Sequence, residues 1–475
     1  MADSVNTRPA TAHVGRDRPA PPGRDRGGAR RLPALRAGRA TALTLALGTA
    51  LASATVPGTA HATDADKRPA AYEAASSAKP VTGTASSADA PRLDTPGWYR
   101  DTIGRGEEKY YAVELDDSST AYLAALAHPE PGTKVGGFGD GLRMELSTTD
   151  GRNCRSNGDA AFRGDGAAYP VGDHAARRIG GDDTNCQKAG PYLFKVTRKD
   201  EPTSDPADWP LEIRYLLEPG LKGKTPAAPA DTGEDTEPPP PPGGEARKVD
   251  GGTGIGNAPA VGDGVWRDSL LPGETRFYRV PVDWGQQLFA SVELPNAPRA
   301  DDSDTSGSRF VSRALGANLF NPAGADLVAG NFTSYNGNQT AATLSTPLVA
   351  YGNRYEGGNV RDAGVAGWYT VAVTLDPALK RHFPASADIT LRVRLAGEPQ
   401  PAPAYDGDAA AGGFGVTDRD REAAEKGLTP AEAEATERGG ARALLGWAAI
   451  GTGAALALGL LLWHLLARRR ATTPP

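Results

Sequence analysis

Metal-ligating and nucleophilic side chains are scarce in this sequence of 475 residues, which holds six His and two Cys. Between residues 63 and 442 the histidines are His128, His174 and His382. None stands in an H-x-x-x-H or H-x-H spacing, so a zinc site would have to gather ligands from distant loops. Cys154 and Cys186 form the one available pair; outside a membrane they are expected to be joined as a structural disulfide, which leaves no thiol as a nucleophile. A G-x-S-x-G elbow is missing, and carboxylates are too common for a glycosidase pair to be picked from sequence. "DDSD" at 301–304 and "GDD" at 181–183 put hard oxygens on loops without the spacing of a calcium hand. "GGTGIGNAP" from Gly251 follows a linker rather than a strand and reads as spacer, not as a phosphate loop. "RGD" at Arg163 reads as a solvated loop. Trp98, Trp266, Trp284 and Trp368 are the candidate ligand-binding aromatics, because an exposed indole stacks on a sugar ring or anchors an interface. Their neighbours have the phase of strands, which also suits them to packing. No cofactor and no metal is indicated.

The elements that would position these residues are written twice. "GWYRDTIGRGEEKYYAVELD" from Gly97 returns as "GVWRDSLLPGETRFYRVPVD" from Gly264. Arg100, Asp101, Gly106, Glu107, Tyr111, Val113 and Asp116 recur as Arg267, Asp268, Gly273, Glu274, Tyr278, Val280 and Asp283, each 167 residues on. "AGPYLFKVT" at Ala189 matches "AGWYTVAVT" at Ala366, and "LEIRYLLEP" at Leu211 matches "LRVRLAGEP" at Leu391. Tyr111, Val113 and Leu115 alternate with Tyr110, Ala112 and Glu114; Tyr278, Val280 and Val282 alternate with Phe277, Arg279 and Pro281. A period of two means one face on a core and the other in solvent. The Gly-Glu pair before each strand suits a tight turn, and Pro281 places its strand at a sheet edge. Short strands at this spacing, with no amphipathic helix between them, predict two antiparallel β-sandwich modules that share first and last strands and differ in the middle.

The order of a "GE…YY.V.L" strand, an "L.A.L" strand, a hairpin with Thr149-Asp150-Gly151 or Pro322-Ala323-Gly324, and a closing strand with Gly190-Pro191-Tyr192 or Gly367-Trp368-Tyr369 resembles bacterial pre-peptidase C-terminal domains. That resemblance implies jelly-roll-like sandwiches of the kind appended to secreted enzymes and surface proteins. No peptidase domain accompanies them.

Composition and charge set the surroundings. The 59 Gly and 40 Pro make about a fifth of the chain, which favours loop-rich modules and disordered connections. Nine Arg against three Asp in 1–62, and three Arg at 468–470, leave −15 of the net −6 on residues 63–467. Such a body repels phosphate backbones, so no nucleic-acid partner is expected. Arg30 to Arg39, an apolar run over 40–54 and Ala60-His61-Ala62 read as a signal peptide cut between Ala62 and Thr63. Residues 443–467 carry no formal charge, are flanked by Trp447 and Trp463, and precede Arg468 to Arg470; they read as a transmembrane helix with a cytoplasmic tail over 468–475. The expected order is a disordered lead-in over 63–90, module one over 91–219, an acidic Pro-rich linker over 220–257, module two over 258–399 and a stalk over 400–442. The expected function is that of a non-enzymatic, single-pass type I surface protein, its extracellular modules binding or scaffolding an unknown protein or glycan while the bilayer holds 443–467. The alternatives are a carbohydrate- or cell-wall-polymer-binding surface protein, and an envelope hydrolase.

Overall fold

The computed structural model describes residues 68–180, 185–234, 236–297 and 309–438, with Leu460 and Trp463. The expected cleavage at Ala62/Thr63, both acidic loops and the span expected over 443–467 lie outside these residues, apart from Leu460 and Trp463. Among the described residues no helix is long and apolar enough to cross a membrane.

The first copy opens with β1 (Lys79–Pro80), β2 (Gly97–Ile103), β3 (Glu108–Leu115) and β4 (Thr120–Ala127). It continues through β5 (Lys134–Val135), β6 (Gly141–Thr148), β7 (Gly158–Ala161), β8 (Gly166–Ala167) and β9 (Val171–Arg177), and closes with β10 (Gly190–Arg198) and β11 (Trp209–Glu218). The second copy runs β12 (Arg247–Lys248), β13 (Gly264–Leu270), β14 (Thr275–Val282), β15 (Gln287–Leu294), β16 (Val311–Phe320), β17 (Asp326–Tyr335) and β18 (Thr340–Ser345). After a one-turn helix α1 (Gly358–Asp362) it ends in β19 (Gly367–Leu375) and β20 (Ala387–Ala396). Each copy is a sandwich of two sheets. The orders β1-β2-β11-β4-β9 and β3-β10-β6-β7 in copy one correspond strand for strand to β12-β13-β20-β15-β18 and β14-β19-β16-β17 in copy two. The middles diverge in sequence but keep the same strands; copy one adds the small ribbon β5-β8. The alternation seen in the sequence fills the two cores: Tyr111, Val113 and Leu115 in one, Tyr278, Val280 and Val282 in the other, all buried. Pro281 sits in β14, an edge strand of its sheet, where a missing N–H interrupts no interior ladder.

The repeated residues hold this scaffold by side-chain bonds to backbone. In copy one the Tyr111 hydroxyl and the Gly83 N–H both donate to Asp101 Oδ2, at 2.8 and 2.7 Å. In copy two Tyr278 and Gly251 do the same to Asp268 Oδ2, both at 2.7 Å. Burial, reinforced by the adjacent carboxylate, pushes both tyrosine pKa values up. A Cβ on Gly83 would meet the Tyr111 ring at 2.7 Å, and one on Gly251 the Tyr278 ring at 2.8 Å, so this close approach requires glycine. The Gly-Glu turns are also one device. Gly106 and Gly273 adopt φ of +71° and +91°; Glu107 accepts the Gly104 N–H at 2.7 Å and Glu274 the Leu271 N–H at 2.9 Å. In the closing strands Tyr192 donates to the Lys188 carbonyl and Tyr369 to that of Val365.

Gly83 and Gly251 lie 168 residues apart, and this offset marks a repeated arm ahead of the obvious repeat. β1 pairs parallel with β2 and β12 with β13. The 3-10 turns Ser87–Asp89 and Ile255–Asn257, and Ala90-Pro91 and Ala258-Pro259 after them, keep that offset. Arg92 and Ala260 then bridge in parallel to Ala112 and Arg279. Each copy therefore starts near residue 79 or 247. The end of the expected lead-in and the end of the expected linker, "GGTGIGNAP" included, are part of the sandwiches rather than spacer.

The connections are ordered against the sandwiches, contrary to the composition-based expectation. Tyr72 from the lead-in stacks on His128 with ring centroids 4.2 Å apart, meets Phe277 edge-on and donates to Glu212 Oε2. In the linker, Thr232 and Gly233 are bound by the Leu348 N–H and the Gln287 side chain, and Pro242 by Arg392. The stalk forms α2 (Asp418–Lys426), capped by Thr417 and Asp420, with Ala423 and Ala424 buried and Arg421 bound to Asp283 at 2.6 Å. A polar, Pro-rich chain loses little further entropy when such donors satisfy its carbonyls, so composition alone misjudges it.

The two copies share an interface instead of being separated by the linker. Every residue of β4 is buried: Leu123 and Ala125 point into core one, whereas Tyr122 joins the core of copy two. Leu126 packs with Phe277, Phe320 and Ala372. Phe277, expected in solvent from its phase, is thus buried beneath copy one and Tyr72. At the centre, Glu218 and Arg354 form an ion pair with side chains 0% and 1% exposed. Arg354 Nη1 and Nη2 donate to the two Glu218 oxygens at 2.5 and 2.8 Å, and Tyr405 and Tyr122 donate to the same carboxylate. Burial alone would lower the guanidinium pKa; the Glu218 charge and hydrogen bonds raise it.

Candidate binding grooves

The four candidate tryptophans are not an open platform. Trp266 and Trp284 are 1% and 3% exposed and belong to the second core, where Trp266 also donates to the Gly262 carbonyl. Trp98 and Trp368 are half-buried with the guanidinium groups of Arg214 and Arg279 over their rings, at 4.8 and 4.1 Å. Both arginines are pushed down to about 10 by burial. Strand phase turns Trp266 and Trp284 into the core, which corrects the assignment to ligand binding at those two positions; Trp98 and Trp368 keep part of their surface, each with a guanidinium over its ring.

Cys154 and Cys186 are joined in a disulfide with Cα atoms 5.5 Å apart. It ties the turn after β6 to the connection before β10, a structural role. The histidines stay apart. His128 lies under Tyr72, and burial lowers it to about 4; His174 Nδ1 faces Asp173 at 3.3 Å; His382 bonds to the Arg309 carbonyl. Among the described residues no group of three His, Cys, Asp or Glu is placed to hold a metal ion. The "RGD" lies at the junction, its Asp165 carbonyl bound by Arg313.

Several concavities open among the described residues, two of them roomy and lined by sandwich strands. The first, about 430 Å³, opens between the copies and is lined by Asp159, Arg163, Tyr169 and Asp173 on one side and by Asn318 and Asp326 on the other. Burial, then the charge of Asp173, pushes Asp326 up to about 8, against a bond from Asn318. Its Oδ1 has no hydrogen-bond partner among the described residues. A carboxyl that keeps its proton near neutral pH is a hydrogen-bond donor toward a ligand's oxygen.

The second, about 650 Å³, lies on the outer face of the β20-β15-β18 part of the second copy, beneath Pro238 to Pro242. Phe289, Ser291 and the half-buried Arg392 come from β15 and β20; Thr343, Ser345 and Arg394 are exposed. Outward phase explains this set, since Leu288, Ala290, Val292, Leu344 and Val393 alternate with them into the core. Arg392 is paired with Glu293 at 2.6 Å and fixes the Pro242 carbonyl at 2.7 Å. Arg394 has an exposed partner, Asp263, at 3.5 Å. None of these residues stood out in the sequence; "LRVRLA" and the five prolines were the available signals.

No family model matches the chain, and no curated protein matches it. Among solved structures it is similar to the CUB1-EGF-CUB2 domain of human MASP-1/3, at 6% identity and a TM-score of 0.14, over 62% of this chain and 99% of that one. It is also similar to the CBM22 tandem of Xyn10C from Paenibacillus barcinonensis, at 10% identity and 0.16, over 64% and 94%. Tandem CBM51 modules of a family 98 glycoside hydrolase from Streptococcus pneumoniae align at 9% identity and 0.18, over 62% and 83%. Scores this low carry no argument about function.

Proposed function

We propose that this chain is a non-enzymatic binding or scaffold protein displayed outside the cell. In this reading the signal is removed before Thr63, residues 443–467 cross the bilayer and the two sandwiches stand outside it, with a ligand or partner on their surface. The observation that carries the reading is the combination of two sandwiches fused through Glu218 and Arg354 with a strapped groove on the outer sheet of the second. A rigid body with a preformed concavity loses little ordering entropy when it binds. The acidic surface keeps nucleic acid out of the partner list. The test is affinity capture of the intact protein from its own envelope, followed by identification of what is retained. Loss of all specific retention would overturn the reading.

A second reading, a carbohydrate- or wall-polymer-binding protein, is favoured by the groove's hydroxyls: Ser291, Thr343 and Ser345 beside Phe289. Since Trp284 is buried in the core, Trp284→Ala tests folding and not recognition.

A further inference from the structure

We propose that the strapped groove binds an extended anionic polysaccharide, whose carboxylate or phosphate is held by Arg394 while its hydroxyls meet Ser291, Thr343 and Ser345. This inference rests on the binding-protein reading and names the ligand of that groove.

Three features point there. The first is charge: residues 63–467 carry −15, yet the groove lining sets Arg392 and Arg394, two residues apart on one strand, against a single acid, Glu237. Arg392 is committed to Glu293 and Pro242. The side chains of Arg394 and Asp263 are 48% and 41% exposed. A pair this open contributes little, so Arg394 can exchange Asp263 for a ligand anion at small cost, and its planar fork suits a bidentate carboxylate or phosphate.

The second is the floor. Two of its three strands, β15 and β20, are paired on both sides, so their backbone offers a ligand no free N–H or carbonyl; the third, β18, is the edge of the sheet, and there Asn331 already donates to the Thr343 carbonyl. An extended peptide that recognises by strand addition needs a free edge. What the floor offers instead are side-chain hydroxyls and guanidinium groups over an apolar base, the chemistry that reads sugar hydroxyls and acid groups.

The third is the roof. Proline lacks an N–H and holds a stiff extended helix of about 3.1 Å per residue, so Pro238 to Pro242 span roughly 15 Å without collapsing onto the sheet. Sheet strands are about 4.8 Å apart, so the run is long enough to roof the three strands that line the groove. Arg392 anchors the run at its last residue, Pro242, and Gln287 holds the chain at Gly233, five residues before its first. The space beneath is thereby kept open and elongated, which suits a chain and not a compact ligand.

The test is calorimetric titration of the purified full-length protein and its Arg394→Ala and Arg394→Lys variants. The probes are an oligogalacturonate, a neutral galacto-oligosaccharide of equal length and a poly-glutamate peptide. The oligogalacturonate should bind, more weakly as salt rises. Arg394→Ala should lose about tenfold in affinity, the worth of one charge-assisted bond at about 1.4 kcal/mol, and Arg394→Lys should keep part of it. Melting temperatures should stay equal, because the Asp263 pair is exposed. Equal binding of the neutral sugar would overturn the anionic ligand while leaving a sugar-binding protein in place. Equal binding of poly-glutamate would overturn the sugar. No binding of any probe would overturn the inference, while envelope capture separately decides whether the protein binds anything.

Discussion

Replacing Arg354 by Ala should destabilise both copies together. The substitution removes two bonds to Glu218 at 2.5 and 2.8 Å, one to the Gly364 carbonyl at 2.7 Å and one to the Tyr351 carbonyl at 2.9 Å. Glu218 is then a fully buried carboxylate that keeps the hydroxyls of Tyr122 and Tyr405 but no cation. Removing one member of a buried pair costs about 3–5 kcal/mol, because the remaining charge is left uncompensated. At roughly 2 °C per kcal/mol for a large body, the melting temperature should fall by about 6–10 °C. Scanning calorimetry should show one transition before and after the change, since the pair joins the copies. Converting both partners, as in Glu218→Gln with Arg354→Met, should recover most of the loss, and the double-mutant cycle then measures the coupling. A cost below about 1 kcal/mol, or a shift confined to the second copy while the first melts unchanged, would refute the shared interface.

Three further outcomes are expected. Asp326 has a raised value, about 8 against an ordinary 3.8, so its proton favours the folded state; its contribution is fully present below pH 4 and lost as pH rises to 8. Asp326→Asn should therefore stabilise the protein at pH 9 and not at pH 4, as read by denaturant midpoints. His128 has a lowered value of about 4, so its neutral form favours folding above pH 6.5, and that stability is lost as pH falls from 6.5 to 4; His128→Phe should flatten this acid limb in the same assay. Reducing the Cys154–Cys186 bridge, which has a sequence separation of 32, should cost about 3–4 kcal/mol by loop entropy. Because the copies are fused, the whole transition should move in calorimetry, not just that of the first copy.

The sandwich was legible because Tyr111, Val113, Tyr278 and Val280 repeat with a period of two, and Pro281 marks an edge. The pairing of the cysteines needed only their number. The arms at 79–93 and 247–261 escaped notice because they share few identities, and a one-residue change of offset hides Gly83 opposite Gly251. The interface escaped for a different reason: alternation separates two faces but does not say what covers the second. Phe277 reads as outward and is buried by the other copy, where Tyr122 and Leu126 are buried as well. Proline-rich composition suggested a free linker, whereas Arg392 and Gln287 bind its carbonyls. The groove of Ser291, Thr343 and Arg394 is a property of three strands brought side by side, which no single stretch displays.

The central claim is that the protein binds and does not turn over its ligand. Isothermal titration of the partner retained in the envelope capture into the intact protein tests both halves at once. The heats should saturate at a fixed stoichiometry and return to baseline after every injection. Absence of heat, or a power that stays displaced in proportion to enzyme while shorter products accumulate, would contradict it.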